Sequence, residues 1–200
     1  KLLHQVTAGE LIDQGFLTPP VADIRNGYDT GGLELSNSNK FTSESIEKAF
    51  EGHGRKTSLI VGQIVELSRH RRGVMIFAAT IQHADEIMLS LPKDNSALII
   101  GTTKDRAEII RRFKSQHIKY LVNVAVLTTG FDAPHVDVVA ILRATESPGL
   151  LQQIIGRGLR LCDGKDDCLV LDYAENIERH GLESNLFKPD VKAYPPRGDS

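Results

Sequence analysis

Residues 120–142 read YLVNVAVLTTGFDAPHVDVVAIL, and their pattern decides the fold. Two apolar runs, Tyr120-Leu121-Val122 and Val136 to Leu142, flank a polar stretch that holds Gly130 and Pro134. Neither run alternates apolar with polar residues. Each therefore predicts a strand covered on both faces, not one with a wet side. The pattern repeats outward. Val74 to Ala78, Ala97 to Ile100 and Cys168 to Leu171 are further short apolar runs. Helix-spaced segments, Ile81 to Leu91, Asp105 to Phe113 and Pro148 to Leu159, stand between the runs. Buried strands alternating with helices predict one α/β domain with a mostly parallel sheet over residues 70–175, with about five strands.

Upstream, residues 1–69 read as an approach segment. Thr7 and Glu10 have capping-box spacing and open a short helix to Gly15. Val21 to Ile24 is a candidate strand, Asn26 to Asn39 a loop, and Ser43 to Phe50 a short helix. Thr57 to Arg69 again has helical spacing. Residues 176–200 are acidic and Pro-bearing and read as an exit segment.

The stretch Leu127 to Pro134 follows a strand, so it is expected at the carboxyl end of a parallel sheet, where open α/β sheets bind ligands. There Gly130 can take positive φ, hydroxyls can reach phosphates, and Asp132 can accept from ribose hydroxyls. A tight turn with a capping Asp accounts for the same residues. Downstream, Ser147-Pro148 caps a helix that carries Gln153, Arg157 and Arg160 at i, i+4 and i+7, which predicts one shared face. Two guanidiniums so placed suit phosphate oxygens, although basic residues near a helix end are also common surface features. Gly156 and Gly158 disfavour helix and predict either a helix end or a close backbone approach. Thr80 and the pair Thr102-Thr103 precede helices, as caps or as anion contacts.

The 200 residues carry 24 basic and 26 acidic groups, a net charge of −2, with 40% hydrophobic and 25% charged residues. These values exclude a disordered, collagen-like or disulfide-rich chain. The charge is uneven: residues 61–160 form a mildly basic block between acidic flanks. No run is long enough for a membrane helix, and no signal-peptide pattern is visible in residues 1–15, which lack an apolar core flanked by basic residues and a cleavage site. Lys1 in place of an initiator Met suggests an internal point of a longer protein. Cys162 and Cys168 make a poor metal signature, and Cys168, before Leu169-Val170-Leu171, is expected to pack as a small hydrophobe. Such cysteine usage fits a reducing, cytoplasmic compartment.

IFAAT (76–80), LVNVAVLTTGFDAP (121–134) and QQIIGRGLR (152–160), in this order, resemble motifs IV, V and VI of superfamily 2 helicases. The wider stretch 120–142, with GRGLRL and CLVLDYA, resembles the RadD group of bacterial DNA repair helicases. The resemblance implies the second RecA-like lobe of a two-lobe ATP-driven motor, a three-layer α/β domain acting in the bacterial cytoplasm at the nucleoid. By position, Arg157 and Arg160 match the two arginines that reach a γ-phosphate, and Gln153 matches the motif VI glutamine. Gly130 and Asp132, with Gly156, match ATP-contacting positions. Thr80, Thr102, Asn123 and Thr128 match loop positions facing nucleic acid. Val124 stands where some members have Thr, and the loop from Gly101 to Arg106 is short for the family. The implied partners are DNA, single-stranded or branched, and an N-terminal RecA-like lobe. The implied cofactor is ATP with Mg2+, both held mainly by that other lobe.

No G-x-x-x-x-G-K-[ST] loop occurs, and Asp85-Glu86 falls in a predicted helix, outside any D-E-A-D or D-E-x-H box. This chain is therefore expected to be inactive as an ATPase by itself. Two other readings remain at this point: the same lobe in a restriction-type DNA translocase, and a non-enzymatic α/β nucleic-acid-binding module.

Overall fold

The computed structural model describes residues 7–125 and 131–187. In chain order the elements are α1 (Ala8–Asp13), β1 (Pro20–Ile24), α2 (Ser43–Phe50), α3 (Gly54–Leu67), β2 (Gly73–Ala78), α4 (Ile81–Ser90), β3 (Ser96–Ile99), α5 (Arg106–Lys114), β4 (Tyr120–Asn123), β5 (Val136–Leu142), α6 (Pro148–Gly156), β6 (Cys168–Asp172) and α7 (Asn176–Arg179). Among the described residues the strands form one six-stranded sheet in the order β1-β6-β5-β2-β4-β3. Every strand pairing is parallel.

The burial pattern explains the unbroken apolar runs. All six residues of β2 and all seven of β5 are buried, because these strands sit in mid-sheet with helices on both faces. One face of the strands, Met75, Phe77, Leu121, Val139, Ile141 and Val170, packs on Phe113 of α5 and on Leu151, Ile154 and Ile155 of α6. The alternate residues, Val74, Ile76, Val122, Val138, Ala140 and Leu171, pack on Ile60, Val61 and Ile64 of α3 and on Ala84 and Ile87 of α4. Each such side chain contributes about 1.5–3 kcal/mol of transfer free energy. The result is the three-layer α/β fold expected of a RecA-like lobe.

The expected helix near Thr7 forms with its capping box complete, Thr7 Oγ1 accepting from the Glu10 amide and Glu10 from the Thr7 amide. Residue 70 falls between α3 and β2, and elements on both sides of it pack on the same sheet. β1, from the approach segment, pairs with β6 as an edge strand. Gly27 then passes so close to the carboxyl end of β6 that a Cβ would stand 1.8 Å from the Tyr173 carbonyl oxygen. Its neighbour Tyr28 enters the core and anchors a buried polar chain. His83 Nδ1 accepts from the Ala79 amide at 3.2 Å, so its Nε2 carries the proton and donates to the Tyr28 hydroxyl at 2.8 Å. That hydroxyl in turn donates to Thr57 Oγ1, also at 2.8 Å. Among the described residues no helix is long and apolar enough to cross a membrane.

Candidate functional site

β4 ends and β5 begins at opposite ends of the sheet. Asn123 closes β4 at the carboxyl edge, whereas Phe131 to His135 stand beside the amino ends of β5 and β2. His135 crowds Gly73, the first residue of β2, where a Cβ would lie 2.7 Å from the imidazole. The sequence expectation put the whole of Leu127 to Pro134 at the carboxyl edge. Its described part, Phe131 to Pro134, is at the amino edge instead, because the next strand, parallel to β4, must start there. Thr128 and Gly130 lie outside the described residues.

Phe131 and Ala133 are buried, with the Phe131 ring 6.0 Å from that of Phe113, and this apolar anchoring leaves Asp132 between them pointing outward. The end of α6 arrives at the same place. The expected helix to Leu159 stops at Gly156, and Arg157, Gly158 and Leu159 follow in tight turns whose amides bond to Ile154, Ile155 and Gly156 carbonyls. Residue 158 must be glycine here, since a Cβ would fall 2.2 Å from Cys168 Sγ and 3.0 Å from Val139 Cγ2. Gln153, Arg157 and Arg160 therefore do not share a helix face. Gln153 is exposed on α6, Arg157 caps the helix, and Arg160 lies beyond it.

Both arginines meet the other segment. Arg157 Nη1 donates to the Phe131 carbonyl at 3.3 Å, and Arg160 Nη1 stands 3.0 Å from Asp132 Oδ1. Burial, and then the charge of Arg160, lowers the Arg157 pKa from its ordinary value. Lys165, which the sequence reading missed, fastens the cluster by donating to the Arg160 carbonyl at 2.7 Å and to that of Pro134 at 3.0 Å. Thr18 adds two more bonds, from its amide to Leu159 O at 2.7 Å and from its hydroxyl to Arg160 O at 3.2 Å. Such tertiary contacts have no local signal in sequence. Gly156 faces open space. Chemically the cluster offers two guanidiniums to an anion and one exposed carboxylate to a hydroxyl.

The other candidate residues stand at the carboxyl edge. Thr80 caps α4, accepting from the His83 amide at 3.1 Å, and its hydroxyl donates to Glu51 Oε1 at 2.6 Å. Thr102 is exposed after β3, and the neighbouring Thr103 hydroxyl accepts from the Ile100 amide at 2.9 Å. Asn123 is 1% exposed; its Nδ2 donates to Ile76 O at 3.2 Å and its Oδ1 has no partner. Cys162 and Cys168 are free thiols, and Cys168 is fully buried as expected.

Comparison with known proteins agrees with the fold. The sequence model of the helicase conserved C-terminal domain family matches residues 55–162. The Schizosaccharomyces pombe protein irc3, named as a mitochondrial ATP-dependent helicase, is 33% identical over 184 residues, 90% of this chain and 30% of its own. UvrABC system protein B of Fervidobacterium nodosum is 30% identical over 128 residues, 59% of this chain and 19% of its own. The chain thus spans less than a third of these relatives. A fragment structure of an HsdR subunit of a type I restriction enzyme from Vibrio vulnificus YJ016 superposes with a TM-score of 0.67 at 22% identity, covering 94% of this chain and 37% of that one.

Proposed function

Because the chain belongs to the helicase conserved C-terminal domain family, we propose that it is the second motor lobe of an ATP-dependent DNA helicase or translocase of the RadD kind. In this reading Arg157 and Arg160 act on ATP held between two lobes. The observation that carries it is the meeting of Arg157 and Arg160 with Phe131 and Asp132 at one end of the sheet. Two guanidiniums, that of Arg157 held by the Phe131 carbonyl and that of Arg160 by the Asp132 carboxylate, can stabilise charge that builds on the β–γ bridge and the γ-phosphate oxygens as the terminal bond breaks. Stabilisation confined to that state raises turnover more than affinity. Asp132 would accept a sugar hydroxyl, with Gly130 and Gly156 beside the nucleotide. Gln153 would reach the water or phosphate from the exposed face of α6.

ATP brings Mg2+, and the loop that cradles phosphates and the carboxylate that holds the ion are assigned to the first lobe, elsewhere in the protein. Turnover by this chain alone is accordingly not expected. At the opposite edge, Thr80 and Thr102 would follow the backbone of a single or branched DNA strand; Asn123, matched to the same role by position, is buried beneath them and bonded to Ile76 O, which leaves it a positioning role only. A bacterial cytoplasmic, nucleoid-associated protein fits this role.

Steady-state kinetics on the intact protein test the reading. Arg157→Ala and Arg160→Ala should each lower kcat by about 10³-fold or more while ATP affinity changes little, following the scale of arginines supplied across an interface. If both variants keep more than half of the turnover while DNA affinity collapses, the arginines hold strand phosphates and the assignment is wrong.

A further inference from the structure

The carboxyl edge carries a feature that none of the helicase-like motifs contains. α3 precedes β2 and runs antiparallel to it, so its first turn opens beside Thr80. The Thr80 hydroxyl on Glu51 and the Gly52 amide on Glu86 Oε1, at 2.8 Å, hold the two pieces together. A cavity of about 160 Å³ at this turn is lined by Tyr28, Ser45, Lys48, His53 and Lys56, with Asp29 its one carboxylate. A second, open depression of about 390 Å³ shares His53 and Lys56 and adds Arg55 and Leu59, with no carboxylate in its wall.

Lys48, Arg55 and Lys56 are exposed, and among the described residues none of them forms an ion pair. Asp29 Oδ1 already accepts from the Gly31 amide at 3.0 Å. Within the basic block, by contrast, Arg69, Arg71, Arg111, Arg143 and Arg160 each face a carboxylate. The uncompensated cations of this edge thus include a group outside the segment that the charge tally marks as basic. Their floor is stiff, since Tyr28 is bonded to both His83 and Thr57 and its ring centroid lies 5.1 Å from that of Phe50. Leu59, 65% exposed, offers apolar surface next to the cations. Cations around a firm concavity, with an apolar neighbour, fit a phosphodiester backbone, whose phosphates need charge and whose sugars need apolar contact.

We infer that Lys48, Arg55 and Lys56 bind backbone phosphates of the DNA strand and extend its track from the Thr80 loop onto the start of α3. This rests on the reading of the chain as a DNA motor lobe.

The test is fluorescence anisotropy of a labelled oligothymidylate with the intact protein, over a range of salt concentrations. It compares wild type with the triple variant Lys48→Gln, Arg55→Gln, Lys56→Gln, with Tm as the check on folding. Each phosphate contact on a single strand contributes about 0.7 to the slope of log affinity on log salt, so the triple variant should lose roughly two units of slope. Each single variant should lose roughly a third of that. A wild-type slope and affinity in the folded triple variant overturn the inference and leave the motor-lobe reading standing. Absence of strand binding by wild type itself overturns both. Polyglutamate that binds wild type but not the triple variant, and leaves the strand bound to wild type, assigns the patch to an acidic protein and overturns the inference.

Discussion

Arg160 and Asp132 hold each other across 3.0 Å, joining the segment beyond α6 to the stretch that leads into β5. Their side chains are about half exposed, 53% and 52%. A pair this wet contributes little to stability, at most about 1 kcal/mol. Its importance lies in competition, since a nucleotide that takes either partner must draw it from the other. Asp132→Asn should therefore leave the denaturant midpoint of the chain nearly unchanged. In the intact protein it should weaken ATP binding severalfold by removing an anionic acceptor. Equal affinities in the two proteins would mean that Asp132 serves only to position Arg160.

Gly158→Ala should disturb the site through packing. The added carbon meets Cys168 Sγ at 2.2 Å and the Val139 side chain at 3.0 Å. Overpacking of this kind costs about 1–3 kcal/mol. Urea unfolding should show the loss, and Cys168→Ala in the same chain should recover part of it by withdrawing the sulfur. No recovery would mean that β6 itself is displaced.

The two thiols should differ sharply. Cys168 is fully buried, and burial pushes its pKa up to about 12, which keeps it protonated and unreactive. Cys162 is partly exposed. Titration with a chromogenic disulfide should detect one fast thiol in the native chain and a second only after denaturation. Two fast thiols would show that the start of β6 opens freely.

His83 predicts an acid-sensitive fold. Burial, and then the charge of His53, lowers its pKa to about 3, whereas an unfolded histidine takes a proton near about 6.5. The unfolded chain thus binds the extra proton first. Stability from this group is full above the unfolded value and falls as pH drops toward the folded one. Between about pH 7 and about pH 5 the loss is about 2 kcal/mol. Urea unfolding at both pH values should show this difference in wild type and not in His83→Gln. The same pH difference in both proteins would assign the acid sensitivity to other groups.

The apolar runs made the sheet legible, because burial on both faces leaves a mark on every residue of β2 and β5. Ser147 and Thr80 were legible as caps for an equally local reason. The arginine geometry was not. A spacing of i, i+4 and i+7 predicts a shared face only while the helix lasts, and α6 stops at Gly156, after which Gly158 packs against Cys168, ten residues further on. The glycine hinted at this, but its partner was invisible. The same limit hid Lys165, Thr18 and the direction of the chain before β5. Charge counted by segment also concealed Lys48 of α2 and Arg55 and Lys56 of α3, because the acidic residues of the first sixty outnumber the basic ones while the fold gathers these three at two adjoining cavities.

β1 and β6 are the first and last strands of the described chain, paired from Pro20 with Cys168 to Ile24 with Asp172. During synthesis the ribosome releases β1 long before its partner exists. The sheet can only close once nearly the whole lobe has emerged, and such distant pairing is slow. Until then β1 waits with its backbone groups unpaired, and Val21 and Ile24 stay about half exposed even after β6 arrives. A chain trimmed to begin at Gly73 would meet the opposite difficulty: β6 would keep its β5 partner and present a bare edge ready to pair with another molecule. The residues before β2 thus protect the newborn lobe from aggregation as well as leading up to it.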